Sequence, residues 1–318
     1  MSSYYTYVVS NPNFENLGYL KAIANIKDKH DRSAPSNYHW KILKCRMIIF
    51  SASSILSCPD KSDVKQIHII FNKTGNDYDR LVSLFLKFSL IQDGVIHQVT
   101  TEEYSMCFLY TMTAKLAPVW NYLGPNYYIN NRDFLKTPGS QDGIKLKITV
   151  YNEKTILELK SIKIYLAKTK EEFSPGETVV ILPSLNKAVI EEYCTSLPKS
   201  GDFKCYKDIR RHWKNIHGYR LPEEEHSYYS VRFWRGEPLT YPEICVLRTY
   251  PIITPVPTNT ERIILSKFIT SLKVKISNIL GFPLSISNEL CHRESSKFYN
   301  EKLLPDTQAI SLCTPTQN

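Results

Sequence analysis

The 22 residues IKLKITVYNEKTILELKSIKIY, Ile144 to Tyr165, decide the fold class. Two apolar, β-branched arms, Ile144–Tyr151 and Ile156–Tyr165, flank the polar triplet Asn152-Glu153-Lys154, the pattern of a β-hairpin. Upstream, Tyr4–Val9 and Ile67–Phe71 read as strands, and Val95–Val99 follows a turn at Asp93-Gly94. Downstream, Val179–Leu182, Tyr228–Trp234 and Ile244–Tyr250 read the same way. Helical spacing is expected in residues 14–24 (Phe14, Leu17, Leu20, Ala24) after Asn11-Pro12. It recurs in residues 37–54 with Trp40, Leu43, Met47 and Phe50 on one side, ended by Cys58-Pro59-Asp60. Further helices are expected over 77–91, with Leu81, Leu84, Phe85 and Phe88 inward, and over 102–116, stopped by Pro118.

Ser184 reads as the N-cap of a helix carrying Leu185, Val189 and Tyr193. Residues 206–217 form another helix, with Gly218 in the C-cap position. After the proline-rich connector 251–257, Thr258 and Glu261 have capping-box spacing, and Ile264, Phe268, Leu272, Ile276 and Ile279 form one stripe before Gly281 and Pro283. Strands and helices are interspersed, so the expected class is α+β, with mixed sheets and packed helices. The expected organisation is an N-terminal region over 1–170, a C-terminal region with a basic helix over 171–287, and a flexible tail over 288–318; 27–36 reads as a loop.

The composition fits such a globular chain. Of 318 residues, 42% are hydrophobic and 22% charged, with 21 tyrosines. The first seven residues have neither a basic n-region nor an apolar h-region, and no run reaches about 18 apolar residues. A cytoplasmic or nuclear protein, neither secreted nor in a membrane, is the expectation. The eight cysteines are scattered without a Cys-x-x-Cys pair and read as reduced thiols.

Phosphate loops, dinucleotide-binding turns, nucleophile elbows and zinc-protease helices have no match in the sequence. Gly139-Ser140 lacks the paired carboxylates that nucleotidyl transfer needs, and reads as a surface loop. Cys205, His212 and His217 lack metal-ligand spacing, since the two histidines lie about 140° apart around a helix. No cofactor, metal or catalytic residue is expected. Trp120, Tyr122, Tyr127 and Tyr128 lack a base-binding strand motif and read as packing residues.

Net charge is +9, and cations concentrate between Lys204 and Arg220. At about 100° per residue, Lys207, Arg210, Arg211 and Lys214 share one helix face, opposite Tyr206, Ile209, Trp213 and Ile216. These four cations are the candidate partner-binding residues. The simpler reading of such a face is ordinary amphipathic solvation. The functional reading is a surface for phosphates or an acidic protein.

Three stretches carry a resemblance. They are Ala114-Lys115-Leu116-Ala117-Pro118-Val119-Trp120-Asn121 with Asn131-Arg132-Asp133-Phe134-Leu135; then Leu182-Pro183-Ser184 with Arg211-His212-Trp213 and Gly218-Tyr219-Arg220-Leu221-Pro222; and Lys267-Phe268-Ile269-Thr270-Ser271-Leu272-Lys273 leading to Gly281-Phe282-Pro283. Their order resembles the animal protein family typified by the human chromosome 18 open reading frame 63 protein, over about residues 100–290. That family is a domain of unknown function, so the resemblance brings no catalytic residue. It implies a germline association, and its longer members add a polar tail of which this chain has a short remnant. Physically, Arg132-Asp133 reads as a local ion pair, and Pro118, Gly218 and Gly281 as scaffold residues. The expectation is a non-enzymatic interaction module, in a nuclear setting, that takes a protein partner, with nucleic acid as a second possibility. The rival reading is an enzyme whose site is dispersed over the fold.

Overall fold

A computed structural model describes residues 4–25, 37–63, 65–167, 172–198, 203–234 and 236–288. The expected loop at 27–36 and the segment beyond 288, with Cys291 and Cys313, lie outside them.

The deciding hairpin forms as read. Strands Ser140–Val150 and Lys154–Tyr165 pair antiparallel without a break, from Ser140 opposite Tyr165 to Val150 opposite Thr155. Strand Lys154–Tyr165 is the spine of a seven-stranded sheet. Tyr5–Ser10 pairs with its first half and Ile252–Pro255 with its second. The spine also serves two cores. Leu157 and Leu159 enter one with Trp120 and Phe268, whereas Ile162 and Ile164 enter another with Ile209, Trp213 and Tyr219. The change from odd to even positions places them on opposite faces, because successive strand side chains alternate.

A second sheet has the order Leu56–Pro59, Gln66–Asn72, Leu17–Ala24, Leu90–Gln98. Helices α1 (Asn37–Ser51), α2 (Asp77–Phe88) and α3 (Thr101–Leu116) pack around it. A third sheet, from Thr178–Ile181, Asn186–Cys194, Tyr228–Arg232, Leu239–Pro242 and Val246–Leu247, lies near α4 (Tyr206–His217) in the chain. Helix α5 (Thr258–Lys275) lies on the spine hairpin with Ile264, Phe268 and Leu272 buried. It stops short of the expected Gly281, so Ile276 and Ile279, also buried, follow it, Ile279 in the short strand Asn278–Ile279. The class is α+β, and every strand pairing among the described residues is antiparallel.

Several elements differ from expectation. Residues 14–24 are a short 3-10 turn, Phe14–Asn16, and then the strand Leu17–Ala24. That strand is paired on both edges and largely buried, so its apolar positions run almost continuously and fit a helical period equally well. Ser184 does not start a helix. Its Oγ accepts from the Asn186 amide at 3.2 Å, Leu185 turns at φ 59°, and strand Asn186–Cys194 follows with Ala188 and Ile190 buried. A spacing of four satisfies both periods, which is why Leu185, Val189 and Tyr193 misled.

Cys58-Pro59 ends no helix but lies in strand Leu56–Pro59. Asp93-Gly94 lies within strand Leu90–Gln98, where Gly94 takes φ 77° and the pairing register shifts. Thr258 is the first helical residue rather than the cap, and buried Glu261 instead accepts from the Tyr5 hydroxyl at 3.2 Å. The capping box that does form belongs to α3, between Thr100 and Glu103.

Candidate functional site

Helix α4 is fixed by its apolar face and by both ends. Ile209, Trp213 and Ile216 are buried, with Trp213 packed against Tyr241 and Tyr219. Near the N-terminus the Tyr206 hydroxyl donates to the Pro222 carbonyl at 2.9 Å. At the C-terminus Gly218 adopts φ 76° and its amide donates to the Lys214 carbonyl, a left-handed cap. Tyr219 is fully buried and its hydroxyl donates to the Tyr122 carbonyl at 2.5 Å.

With the apolar face docked, Lys207, Arg210, Arg211 and Lys214 line one wall of a cleft of about 1110 Å³. The lining includes a side of the adjacent α1 carrying Leu43, Arg46, Met47 and Phe50. Lys87 and Phe88 from the end of α2, and Ala117-Pro118 after α3, complete it with Arg132 and Arg220. Eight cationic side chains line this cleft, and among the described residues no Asp or Glu does.

The carboxylates sit around it. Arg211 pairs with Asp208 at 3.1 Å and Arg210 with Glu223 at 3.7 Å. Arg220 reaches Asp133 at 3.6 Å and Glu223 at 3.9 Å. Such half-exposed pairs are each worth at most about 1 kcal/mol. Lys207, Lys214, Arg46 and Arg132 have no carboxylate within ion-pair reach among the described residues. Burial lowers the Arg46 pKa from its ordinary value. A desolvated guanidinium without a counter-ion gains strongly from an incoming anion.

The sequence located four of these cations, and the fold adds Arg46, Lys87, Arg132 and Arg220. Arg132 and Asp133 do not pair with each other as expected, since Asp133 faces Arg220. The turn is held by Asn131, whose side-chain carbonyl oxygen accepts from the Asp133 amide at 2.8 Å. The Asn131 side-chain amide donates to Thr137 and Gln141. Trp120 and Tyr128 are fully buried, as packing residues should be, with Trp120 edge-on to Phe268.

Three imidazoles lie between α1 and α4. His39 and His212 meet edge to face at 4.6 Å between ring centres, and His212 and His217 at 6.1 Å. Helical angle alone would have sent the last two apart. Burial, then His39, pushes His212 down to about 4. Burial, then the neighbouring imidazoles and Arg46, holds His217 well below its ordinary value. Among the described residues no group of three His, Cys, Asp or Glu side chains is placed to hold a metal ion.

A second polar cluster lies in the four-stranded sheet, where Tyr19 Oη meets His68 Nδ1 and His68 Nε2 meets Asp60 at 2.9 Å. Burial would raise the Asp60 pKa, but hydrogen bonds from Asp63 and Ser62 and the charge of His68 hold it well below the usual range. Burial raises Tyr19, so this hydroxyl is a poor nucleophile. Tyr19 and His68 are 1% and 6% exposed and do not line the cleft. The six described cysteines are free thiols.

The family described as a domain of unknown function, DUF4708, matches residues 4–174 and 167–255. The chain belongs to the DUF4708 family. Solved structures similar to this DUF4708 chain include Marinitoga piezophila Argonaute in complex with 5′ OH guide RNA and target DNA. That match has 10% identity and TM-score 0.34, covering 86% of this chain and 35% of that one. Methanocaldcoccus janaschii Argonaute in complex with guide DNA matches at 10% identity and TM-score 0.34, covering 86% of this chain and 40% of that one. The DUF4708 chain thus spans well under half the length of the structures it matches. Likeness at this level carries no argument about function. No described helix of the DUF4708 chain is long and apolar enough to cross a membrane.

Proposed function

We propose that this DUF4708 protein is a non-enzymatic interaction module that holds an acidic partner in the cleft between α1 and α4. Lys207, Arg210, Arg211 and Lys214 are its principal contacts. The observation that carries this reading is the one-sided lining: eight cations and, among the described residues, no carboxylate. Solvation alone explains a basic helix face. It does not explain why cations from α1, α2 and the Arg132 turn converge on that face. The three resembling stretches further support placing the chain with the human chromosome 18 open reading frame 63 protein, in an intracellular and nuclear setting.

The test is a binding titration with labelled polyglutamate and with a DNA duplex at rising salt, using wild type and a Lys207/Arg210/Arg211/Lys214→Ala variant. Polyglutamate binding that falls with salt and is lost in the variant supports the reading. Equal binding by the two proteins sinks it. A protein that ignores polyglutamate but binds duplex, with a log–log salt slope near about −3.6 for four phosphate contacts, shows a nucleic-acid site instead.

A further inference from the structure

Helix α1 has two apolar faces. One belongs to the core, where Cys45 and Ile48 are fully buried. The other carries Leu43, Met47 and Phe50, which all line the cleft, and Met47 also packs against the core. Leu43 and Met47 are half-buried and Phe50 is 60% exposed. The Arg46 guanidinium lies 5.4 Å from the centre of the Phe50 ring, so the ring is held beside a cation. A solvent-facing side of a helix ordinarily carries polar residues. Here an apolar stripe with spacings of four and three lines the same cleft as four cations of α4, the helix packed beside it.

We propose that the occupant of the cleft is an amphipathic acidic helix of a partner protein. Its apolar side chains seat on Leu43, Met47 and Phe50, and its carboxylates meet Lys207, Arg210, Arg211 and Lys214. This rests on the acidic-partner reading above and names the partner's form. Leu43 to Phe50 spans seven residues, about 10.5 Å of helix, which matches anchors at i, i+4 and i+7 on the partner. The stripe's chemistry favours a helix over a single-stranded nucleic acid. Bases stack on exposed aromatic faces. Phe50 alone offers one, since Phe88 and Tyr219 in the lining are 4% and 0% exposed. Leucine and methionine instead accept aliphatic anchors, and methionine adapts to their shape.

The experiment uses three labelled probes: a leucine- and glutamate-rich peptide of about four helical turns with its leucines in one stripe, a scramble of the same composition, and an oligothymidine of similar length. The whole chain is used as wild type, as Met47→Ser/Phe50→Ser, as Phe50→Asp, and as Lys207/Arg210/Arg211/Lys214→Ala. Circular dichroism and melting midpoints establish that each variant is folded. Phe50 is largely exposed, so Phe50→Asp tests the stripe if the double variant does not fold. Wild type is expected to bind the striped peptide at least about tenfold more tightly than the scramble. Both stripe variants should lose that preference and keep weak, salt-sensitive binding of the scramble. Equal binding of striped and scrambled peptides overturns the helix but leaves the acidic-partner reading intact. Tighter binding of oligothymidine than of the striped peptide overturns it in favour of nucleic acid. No binding of any probe at about 50 mM salt overturns both readings.

Discussion

Gly218 and Ala117 are in contact through a space that admits no side chain: a Cβ on Gly218 would lie 2.6 Å from the Cβ of Ala117. The glycine closes α4 at φ 76° and lets the end of α3 come against it, at the foot of the cationic cleft. Gly218→Ala should therefore suffer both the left-handed strain and the clash, for roughly 1–3 kcal/mol. A urea unfolding curve reads the loss directly. An unchanged midpoint would contradict the close approach.

Glu223 touches two cleft arginines, Arg210 and Arg220, and is largely exposed. Glu223→Gln frees Arg210 and leaves Arg220 with Asp133 alone, without removing a cation. Affinity for an acidic probe should rise about three- to tenfold at low salt and converge with wild type at high salt. Isothermal titration at two salt concentrations checks this. A weaker complex would mean that Glu223 orders the arginines rather than competing with the ligand.

The imidazoles between α1 and α4 give the fold an acid limit. His212 titrates near 6.5 when unfolded and about 4 in the fold, so between those values the unfolded chain binds more protons. The contribution of His212 is complete above about 6.5 and is lost as pH falls toward 4, for roughly 1–3 kcal/mol. Buried His217 adds to it in the same direction. Asp60 acts in a lower window, because its depressed pKa gives stability that is lost only as pH falls below about 4. Denaturation midpoints from pH 7 to 4.5 should fall in wild type and fall less in His212→Gln. Parallel curves would refute the assignment.

Tyr19→Phe removes the hydroxyl that meets His68 Nδ1 in a closed part of the sheet. The ring nitrogen would be left buried without its partner, so a loss of about 1–3 kcal/mol is expected. Binding in the cleft should not change, since neither residue lines it. A variant as stable as wild type would show that water reaches His68.

The hairpin over Ile144–Tyr165 was legible in the sequence from its two apolar arms around a polar turn, and α4 from its single buried face and its Gly218 cap. Helix α5 was legible from its stripe, but not its ends, since it begins after Pro257 and stops at Lys275. The strand Leu17–Ala24 was not, because pairing on both edges and burial on both faces erase the alternation that marks a strand. Helix α1 was legible as a helix, but its inward side was not. Of the four residues expected on one side, Trp40 is buried, Met47 lies between core and cleft, and Leu43 and Phe50 line the cleft; periodicity alone does not tell which of two apolar faces meets the core. The cationic face of α4 was readable from angular spacing. The site it belongs to was not, because Arg46, Lys87 and Arg132 come to it from three separate parts of the chain.

The spine strand Lys154–Tyr165 also sets a timetable for synthesis. Tyr5–Ser10 leaves the ribosome early, yet its partner Lys154–Leu159 lies about 150 residues later, and its other neighbour, Ile286–Asn288, later still. At about 5–20 residues per second, the first strand waits on the order of ten seconds with its edges unpaired. The four-stranded sheet, whose strands all lie between Leu17 and Gln98, is complete long before that. Nascent chains halted once Gln98 has cleared the ribosome should already protect that sheet from protease while Tyr5–Ser10 is still cut, so Tyr5–Ser10, though made before that sheet, is captured after it.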